Sequence, residues 1–298
     1  MTPEAHSPVP SGQPPALSPE LQEKVERLAQ LPGSKIVRTP EEAVQGIASG
    51  QTLSVGGFGL NGIPQILIDA VLASGADDLS VASNNAGVDG IGLAVLLEAG
   101  RLRKMMSSYV GENKEFARQY LAGELEVELM PQGTLAERMR AGGSGIGGFF
   151  TQAGVGTQVA EGGLPQKYAA DGSVEKASQK KETRTIRHGG EDTEFVFEEA
   201  IVADMSLVHA WKADVYGNLV FNKAARNFNP VAAMSGKTCV IQVEEIVEPG
   251  EIDPDSVHLP SAFVDRILVV GPDIEKPIEK RTTRPAGEPA PETPGGRN

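Results

Sequence analysis

A single cysteine, Cys239, in 298 residues excludes any disulfide within the chain and fits a reducing compartment, so a cytoplasmic location is expected. Its neighbours, Thr238-Cys239-Val240-Ile241, are apolar, which suits a buried thiol better than a nucleophile. Positive charge is also short. The 27 Lys and Arg face 40 Asp and Glu, a net charge of −13, which argues against nucleic acid or an anionic membrane surface as a partner. No apolar run approaches the ~18 residues of a membrane span. The four histidines, His6, His188, His209 and His258, lie far apart without ligand spacing, so no metal site is expected. His209 falls in an apolar stretch and reads as a core histidine with satisfied nitrogens. A G-x-S-x-G nucleophile elbow is missing as well.

The first twenty residues lack Lys and Arg but hold six prolines. A secretory signal needs a basic start and an apolar stretch, and a mitochondrial presequence needs arginines, so neither fits. Residues 1–34 therefore read as a proline-rich extension. Within it, Ser18-Pro19-Glu20 has the form of a helix start, followed by Leu21, Val25 and Leu28 at helical spacing. Residues 35–275 read as one domain, and the Pro- and Gly-rich 276–298 as a disordered tail.

What the chain does have is a repeated stop. Four apolar, strand-like runs end in loops of glycine and side-chain amides: Ser54-Val55-Gly56-Gly57-Phe58-Gly59, Ala82-Ser83-Asn84-Asn85-Ala86-Gly87, Ser108-Tyr109-Val110-Gly111-Glu112-Asn113 and Leu129-Met130-Pro131-Gln132-Gly133. Helical patterns follow each. Strands over 52–55, 79–82, 105–110 and 125–130 alternate with helices over 40–48, 63–72, 91–97, 113–121 and 134–139. This predicts an α/β fold, an open and mainly parallel sheet with helices on both faces. In such a sheet all four loops share the carboxyl edge, where ligands bind.

The second half is less regular. Residues 142–163 look too glycine-rich for regular structure, and 166–190 read as an exposed excursion. Tyr216-Gly217-Asn218 reads as the turn of a hairpin, and 239–246 and 264–270 as buried strands.

The edge offers bare N–H groups and neutral amides, a surface suited to binding an acyl group and stabilising charge on it. Gly57-x-Gly59-x-x-Gly62 matches the dinucleotide-binding spacing. That fingerprint needs an acid at the end of the next strand, where Ser83-Asn84-Asn85 stands instead. A tight turn that needs glycine, or N–H groups presented to a carbonyl or phosphate oxygen, are the other readings. Asn84, Asn85 and Gln132 are either loop caps or ligand donors, and the amide of Gln132 beside Gly133 suits an oxyanion. Glu112 could be a nucleophile, but an acid there also suits a helix start, the favoured reading. Glu137-Arg138-x-Arg140 reads as a solvated helix face rather than a phosphate clamp.

Together these loops resemble the A (alpha) chains of the family I CoA-transferases, on the succinyl-CoA:3-ketoacid branch. The carrying segments are Val55-Gly56-Gly57-Phe58-Gly59-Leu60-Asn61-Gly62-Ile63-Pro64, Val81-Ala82-Ser83-Asn84-Asn85-Ala86-Gly87-Val88-Asp89 and Ser107-Ser108-Tyr109-Val110-Gly111-Glu112-Asn113. Glu128-Leu129-Met130-Pro131-Gln132-Gly133-Thr134, Ala210-Trp211-Lys212-Ala213-Asp214 and Lys223-Ala224-Ala225-Arg226-Asn227-Phe228-Asn229 complete the set, which runs from about 36 to 268. The resemblance implies that Gly56, Gly57, Phe58, Gly59, Leu60, Asn61 and Gly62 bind coenzyme A as a substrate, with no permanent cofactor. It implies that Asn84, Asn85 and Gln132 line the acyl site, Gln132 stabilising the oxyanion. The family's nucleophile is a glutamate in a Ser-Glu-Asn-Gly motif of the other half of the enzyme. No such motif occurs in this chain, so a B subunit is the implied partner, in a heterodimer or heterotetramer.

Departures cluster near the glycine-rich stretch. The family often has Cys where Asn61 stands, Pro-Ala-Phe-Tyr in place of Gly147-Gly148-Phe149-Phe150, and Tyr in place of Val155. They bear on acyl-chain preference. The resemblance also fits the corresponding chain of an acetate–acetoacetate or 3-oxoadipate CoA-transferase. A chain without the nucleophile could instead serve as a non-catalytic acyl-CoA or sugar-phosphate binding protein.

Overall fold

Strand after strand in this chain alternates its buried side chains between two cores. Leu53 and Val55, Leu79 and Val81, Met105, and Leu207 face one core, whereas Ala82, Met106, Val208 and Ala210 face the other. Burial on both faces is the signature of a sheet covered by helices on each side. The computed structural model describes residues 16–277, so the expected disorder of residues 1–15 and 278–298 lies outside the described residues.

The chain opens with α1 (Pro19–Leu28), capped by Ser18, whose Oγ accepts from Leu21 N. Then come β1 (Ile36–Val37), α2 (Pro40–Ala43), β2 (Thr52–Val55), α3 (Gln65–Ser74), β3 (Leu79–Ala82) and α4 (Ala94–Glu98). Next are β4 (Leu102–Ser107), α5 (Lys114–Leu121), β5 (Glu126–Leu129) and α6 (Gln132–Gly143). An excursion follows: β6 (Gly148–Thr151), α7 (Gln158–Glu161), β7 (Pro165–Tyr168), β8 (Val174–Ala177), β9 (Thr183–His188) and β10 (Glu191–Glu199). The chain re-enters the main sheet with β11 (Ala203–Asp214), β12 (Leu219–Val220), α8 (Asn229–Ser235), β13 (Gly236–Val247) and β14 (Arg266–Val269).

The strand order of the main sheet is β1-β14-β13-β11-β2-β3-β4-β5, parallel throughout; β12 pairs antiparallel with the far end of β11. Helices α3, α4 and α5 pack over one face, and α1, α6 and α8 over the other. From β2 the chain winds outward to β5, then returns to β11 on the other side of β2. The order reverses between β2 and β11, the point at which open α/β sheets bind ligands. Leu207 of β11 stands opposite Val55, the last residue of β2, and β11 then runs on to Asp214 beside β13. Asp214 Oδ1 accepts from the backbone N–H groups of Tyr216, Gly217 and Asn218, fixing the expected hairpin turn.

Several elements differ from expectation. The helix placed over 91–97 begins at Ala94, because residues 88–91 first close a tight turn. The helix placed over 134–139 starts two residues earlier, at Gln132. Residues 142–163 are not wholly irregular: β6 pairs with β10, Phe150 opposite Phe197, and α7 is a single capped turn. Glycine here marks close approach, since a side chain on Gly148 would collide with the Phe197 ring.

Candidate active site

The loop after β2 is shaped from beneath. Gly56 N donates to Leu207 O, and Phe58 and Asn61 exchange two backbone hydrogen bonds, pinching residues 58–61 into a turn. The N–H groups of Gly57, Gly59, Leu60 and Gly62 donate to no acceptor among the described residues. Under this turn lies the fully buried Asn229, at the start of α8. Its Nδ2 donates to Gly62 O at 3.0 Å and Ala225 O at 2.8 Å, and its Oδ1 accepts from His209 N at 3.0 Å. A Cβ on Gly56 would fall on Asn229 Oδ1, and one on Gly62, where φ is +72°, would press on its Nδ2. These glycines are there because an asparagine fills the space below them. Asn227 Nδ2 adds a bond to Asn61 O at 2.9 Å.

A buried polar chain supports the far end of the loop. His209 Nδ1 lies 3.2 Å from Ile63 O and 3.3 Å from Gln242 Nε2, and His209 Nε2 lies 3.0 Å from Glu244 Oε1. Gln242 Oε1 accepts from Leu67 N in the first turn of α3, and Lys276 Nζ donates to Glu244 Oε2 at 2.7 Å. His209 is thus a core histidine with both ring nitrogens in hydrogen bonds, as its apolar strand suggested.

The loops after β3, β4 and β5 meet on one residue. Asn84 is buried, and its Oδ1 accepts from Ser108 Oγ at 2.8 Å and from Gln132 Nε2 at 2.8 Å. The backbone of Asn84 is pinned too, its carbonyl accepting from Ser107 Oγ at 2.8 Å and Ser108 N at 3.2 Å. A carbonyl oxygen has two lone pairs, and both on this amide are engaged. Only the Asn84 amino group is left to donate. It has no partner among the described residues and is not one of the sealed, unbonded atoms of the interior. Asn85, 8% exposed, likewise makes no side-chain hydrogen bond among the described residues.

Gln132 is the first residue of α6, which no side chain caps. The N–H groups of Gln132, Gly133 and Thr134 precede the first helical donor, since Leu135 N is the first to bond back, to Pro131 O. A Cβ on Gly133 would meet open space. The positive end of the α6 dipole, three free N–H groups and two amides therefore converge at the edge without a formal cation. Such a place stabilises a carboxylate or an oxyanion.

The remaining candidates sort clearly. Glu112 is exposed, one residue before Asn113, whose Oδ1 caps α5 by accepting from Phe116 N at 2.8 Å. Glu112 is thus part of a helix entry. Glu137 and Arg140 pair on the surface of α6, but Arg138 corrects the solvated-face reading. It is buried, donating to Glu128 Oε1 at 2.7 Å and Glu199 O at 2.6 Å, which ties α6 to β5 and the end of β10. Burial raises the Glu128 pKa, but the Arg138 and Lys104 cations outweigh it and bring the carboxyl to about 2. Burial pushes the Cys239 thiol up to about 12, so it is inert at neutral pH. Among the described residues no group of His, Cys, Asp and Glu could hold a metal ion, and no helix is long and apolar enough to cross a membrane.

Sequence reading did not assign roles to Asn229, Asn227 or Ser108. Asn229-Pro230 at a helix start was a usable signal for the first, since Asn and Pro commonly open helices. Nothing local marks Ser108, whose partner lies 24 residues away.

The family described as "Coenzyme A transferase" matches residues 37–269. The A chain of a probable succinyl-CoA:3-ketoacid coenzyme A transferase from Mycobacterium bovis is 56% identical over 250 residues, covering 84% of this chain and 99% of that protein. The mouse "Succinyl-CoA:3-ketoacid coenzyme A transferase 2A, mitochondrial" is 46% identical over 252 residues, 85% of this chain, which spans only 47% of the mouse protein. Among solved structures, the apoenzyme of an acyl-CoA transferase from Escherichia coli O157:H7 superposes with a TM-score of 0.67 at 23% identity. That match covers 83% of this chain and 48% of that one, and speaks for the fold. Agreement across nearly the whole described sheet, and along almost the full length of the mycobacterial protein, makes this chain a member of the coenzyme A transferase family.

Proposed function

We propose that this chain is the A subunit of an enzyme that moves coenzyme A from succinyl-CoA to a 3-ketoacid such as acetoacetate. The observation that carries the reading is the 56% identity to the mycobacterial A chain of that description, along 99% of its length. The mouse relative, of which this chain spans 47%, supports a second half supplied by another chain. A cytoplasmic location belongs to the same reading and rests on the lone, buried Cys239.

The chemistry is ping-pong. The thioester carbonyl is attacked by a glutamate of the B subunit, giving an acyl-glutamyl anhydride and CoA thiolate. The thiolate attacks the glutamyl carbonyl, forming a glutamyl-CoA thioester and releasing succinate. The ketoacid carboxylate then attacks that thioester, and the displaced thiolate takes the new acyl group, restoring the glutamate. Each step passes through a tetrahedral oxyanion. In this reading Asn84 Nδ2, Gln132 and the first turn of α6 receive that charge, Asn85 lines the acyl site, and the loop 56–62 binds CoA.

The test uses the chain alone and with its B partner, given succinyl-CoA and acetoacetate, with trapping of the covalent intermediate. Turnover is expected only from the pair, with CoA on a partner glutamate. Turnover by the isolated chain, or an adduct at Glu112, would overturn the half-enzyme reading.

A further inference from the structure

The segment 223–229 sits directly against the glycine loop, through Asn227 to Asn61 O, Asn229 to Gly62 O, and Ala225 O against Gly62. It begins as a 3-10 turn over Lys223–Arg226. Lys223 opens that turn with φ of +49°, one of two non-glycine residues with positive φ among those described. A long side chain in this conformation costs roughly 1–2 kcal/mol, and such strain persists where its surroundings hold it, often at ligand sites.

The charge on this turn is also unusual. In a chain of net −13, most Lys and Arg of the described residues are tied to carboxylates or carbonyls. Lys223 and Arg226 are exposed, three residues apart on one turn, and neither makes an ion pair or a side-chain hydrogen bond among the described residues. Residues i and i+3 of a 3-10 turn line up. Acidic surroundings repel a phosphorylated ligand, so a local pair of free cations beside the loop counts for more here than on a neutral surface.

We infer that Lys223 and Arg226 form the phosphate-binding end of the coenzyme site, receiving the phosphate groups of CoA while its pantetheine arm crosses the glycine loop. The inference rests on the reading that the loop 56–62 binds CoA. The two cations hold the nucleotide end of the substrate and take no part in the acyl chemistry at Asn84 and Gln132. Their effect lies in affinity and in its dependence on salt.

The experiment measures binding of CoA, dephospho-CoA and pantetheine by calorimetry to the assembled enzyme, wild type and the double variant Lys223→Asn/Arg226→Gln. Asparagine tolerates the left-handed backbone at 223 while removing the charge. CoA binding is expected to weaken roughly three- to thirtyfold and to lose part of its salt dependence, with pantetheine binding unchanged. An equal loss for dephospho-CoA assigns the cations to the diphosphate, and a loss confined to CoA assigns them to the 3′-phosphate; both support the inference. Unchanged CoA affinity in the variant, or an equal loss for pantetheine, overturns the phosphate role alone. A wild-type enzyme that binds CoA no better than pantetheine overturns it too. One that binds no CoA overturns both this inference and the loop reading.

Discussion

The carboxyl edge presents two kinds of candidate site built by opposite means. Over β2 the chain offers backbone N–H groups, and the main side chains that shape them, Asn229, His209 and Gln242, are buried beneath and already bonded, with the half-buried Asn227 holding Asn61 O from the side. Over β3, β4 and β5 it offers side chains, held from the flanks by Ser108 and Gln132, with the Asn84 amino group left open. The first kind of site is sensitive to bulk and the second to chemistry. A glycine loop tolerates no added atom where a neighbour fills the space, whereas an amide tolerates changes of size better than the loss of its partners.

Substitutions that respect this division should separate the two. The largest effect is expected at Gln132. Gln132→Ala in the assembled enzyme should lower kcat roughly ten- to a thousandfold, the range for losing one oxyanion donor, with KM for the acyl donor little changed. Steady-state kinetics check it, and a normal kcat with a raised KM would reassign Gln132 to ground-state binding. Next comes Gly56→Ala, whose methyl overlaps Asn229 and should cost about 1–3 kcal/mol of stability. Urea denaturation reads that cost, and thiol labelling reads where it falls. Cys239 shares a core with Ala232 and Ala233 of α8 and is unreactive in the intact fold, so new labelling at neutral pH reports that α8 has lifted. The smallest effect is expected at Ser108. Ser108→Ala removes one of two bonds to Asn84 Oδ1 and should reduce kcat roughly two- to tenfold. Ser108→Thr, which keeps the hydroxyl, should restore it. If alanine and threonine behave alike, the serine is not fixing the amide.

The strands over 52–55 and 79–82 were legible to the residue, because a short apolar run between a turn and a glycine loop leaves no slack. The helix after Gly87 was misplaced, since its near-continuous apolar pattern hides where a preceding turn ends. Arg138 was misread for a related reason. A charged triplet on a helix looks solvated until the excursion after α6 returns and buries it against Glu199. At the site, residues at strand ends stood out by type, Asn84 and Gln132 among them, and the geometry puts those two in contact. The supports did not stand out. Asn229 acts on glycines 167 positions or more earlier in the chain, a relation created only by the return of β11 beside β2.

That return has one more consequence. Past its last pairing with β2, β11 continues for seven residues beside β13, which at about 3.3 Å per residue makes a ridge of roughly 23 Å beyond the end of β2. No ridge of this kind stands over β3, β4 or β5, whose strands end at the loops themselves. The extension of β11 therefore flanks the edge beside β2 only. An acyl anhydride or an activated thioester survives only where water arrives more slowly than the next carboxylate. In the reading proposed above, covering the part of the edge that β11 does not flank falls to the partner chain.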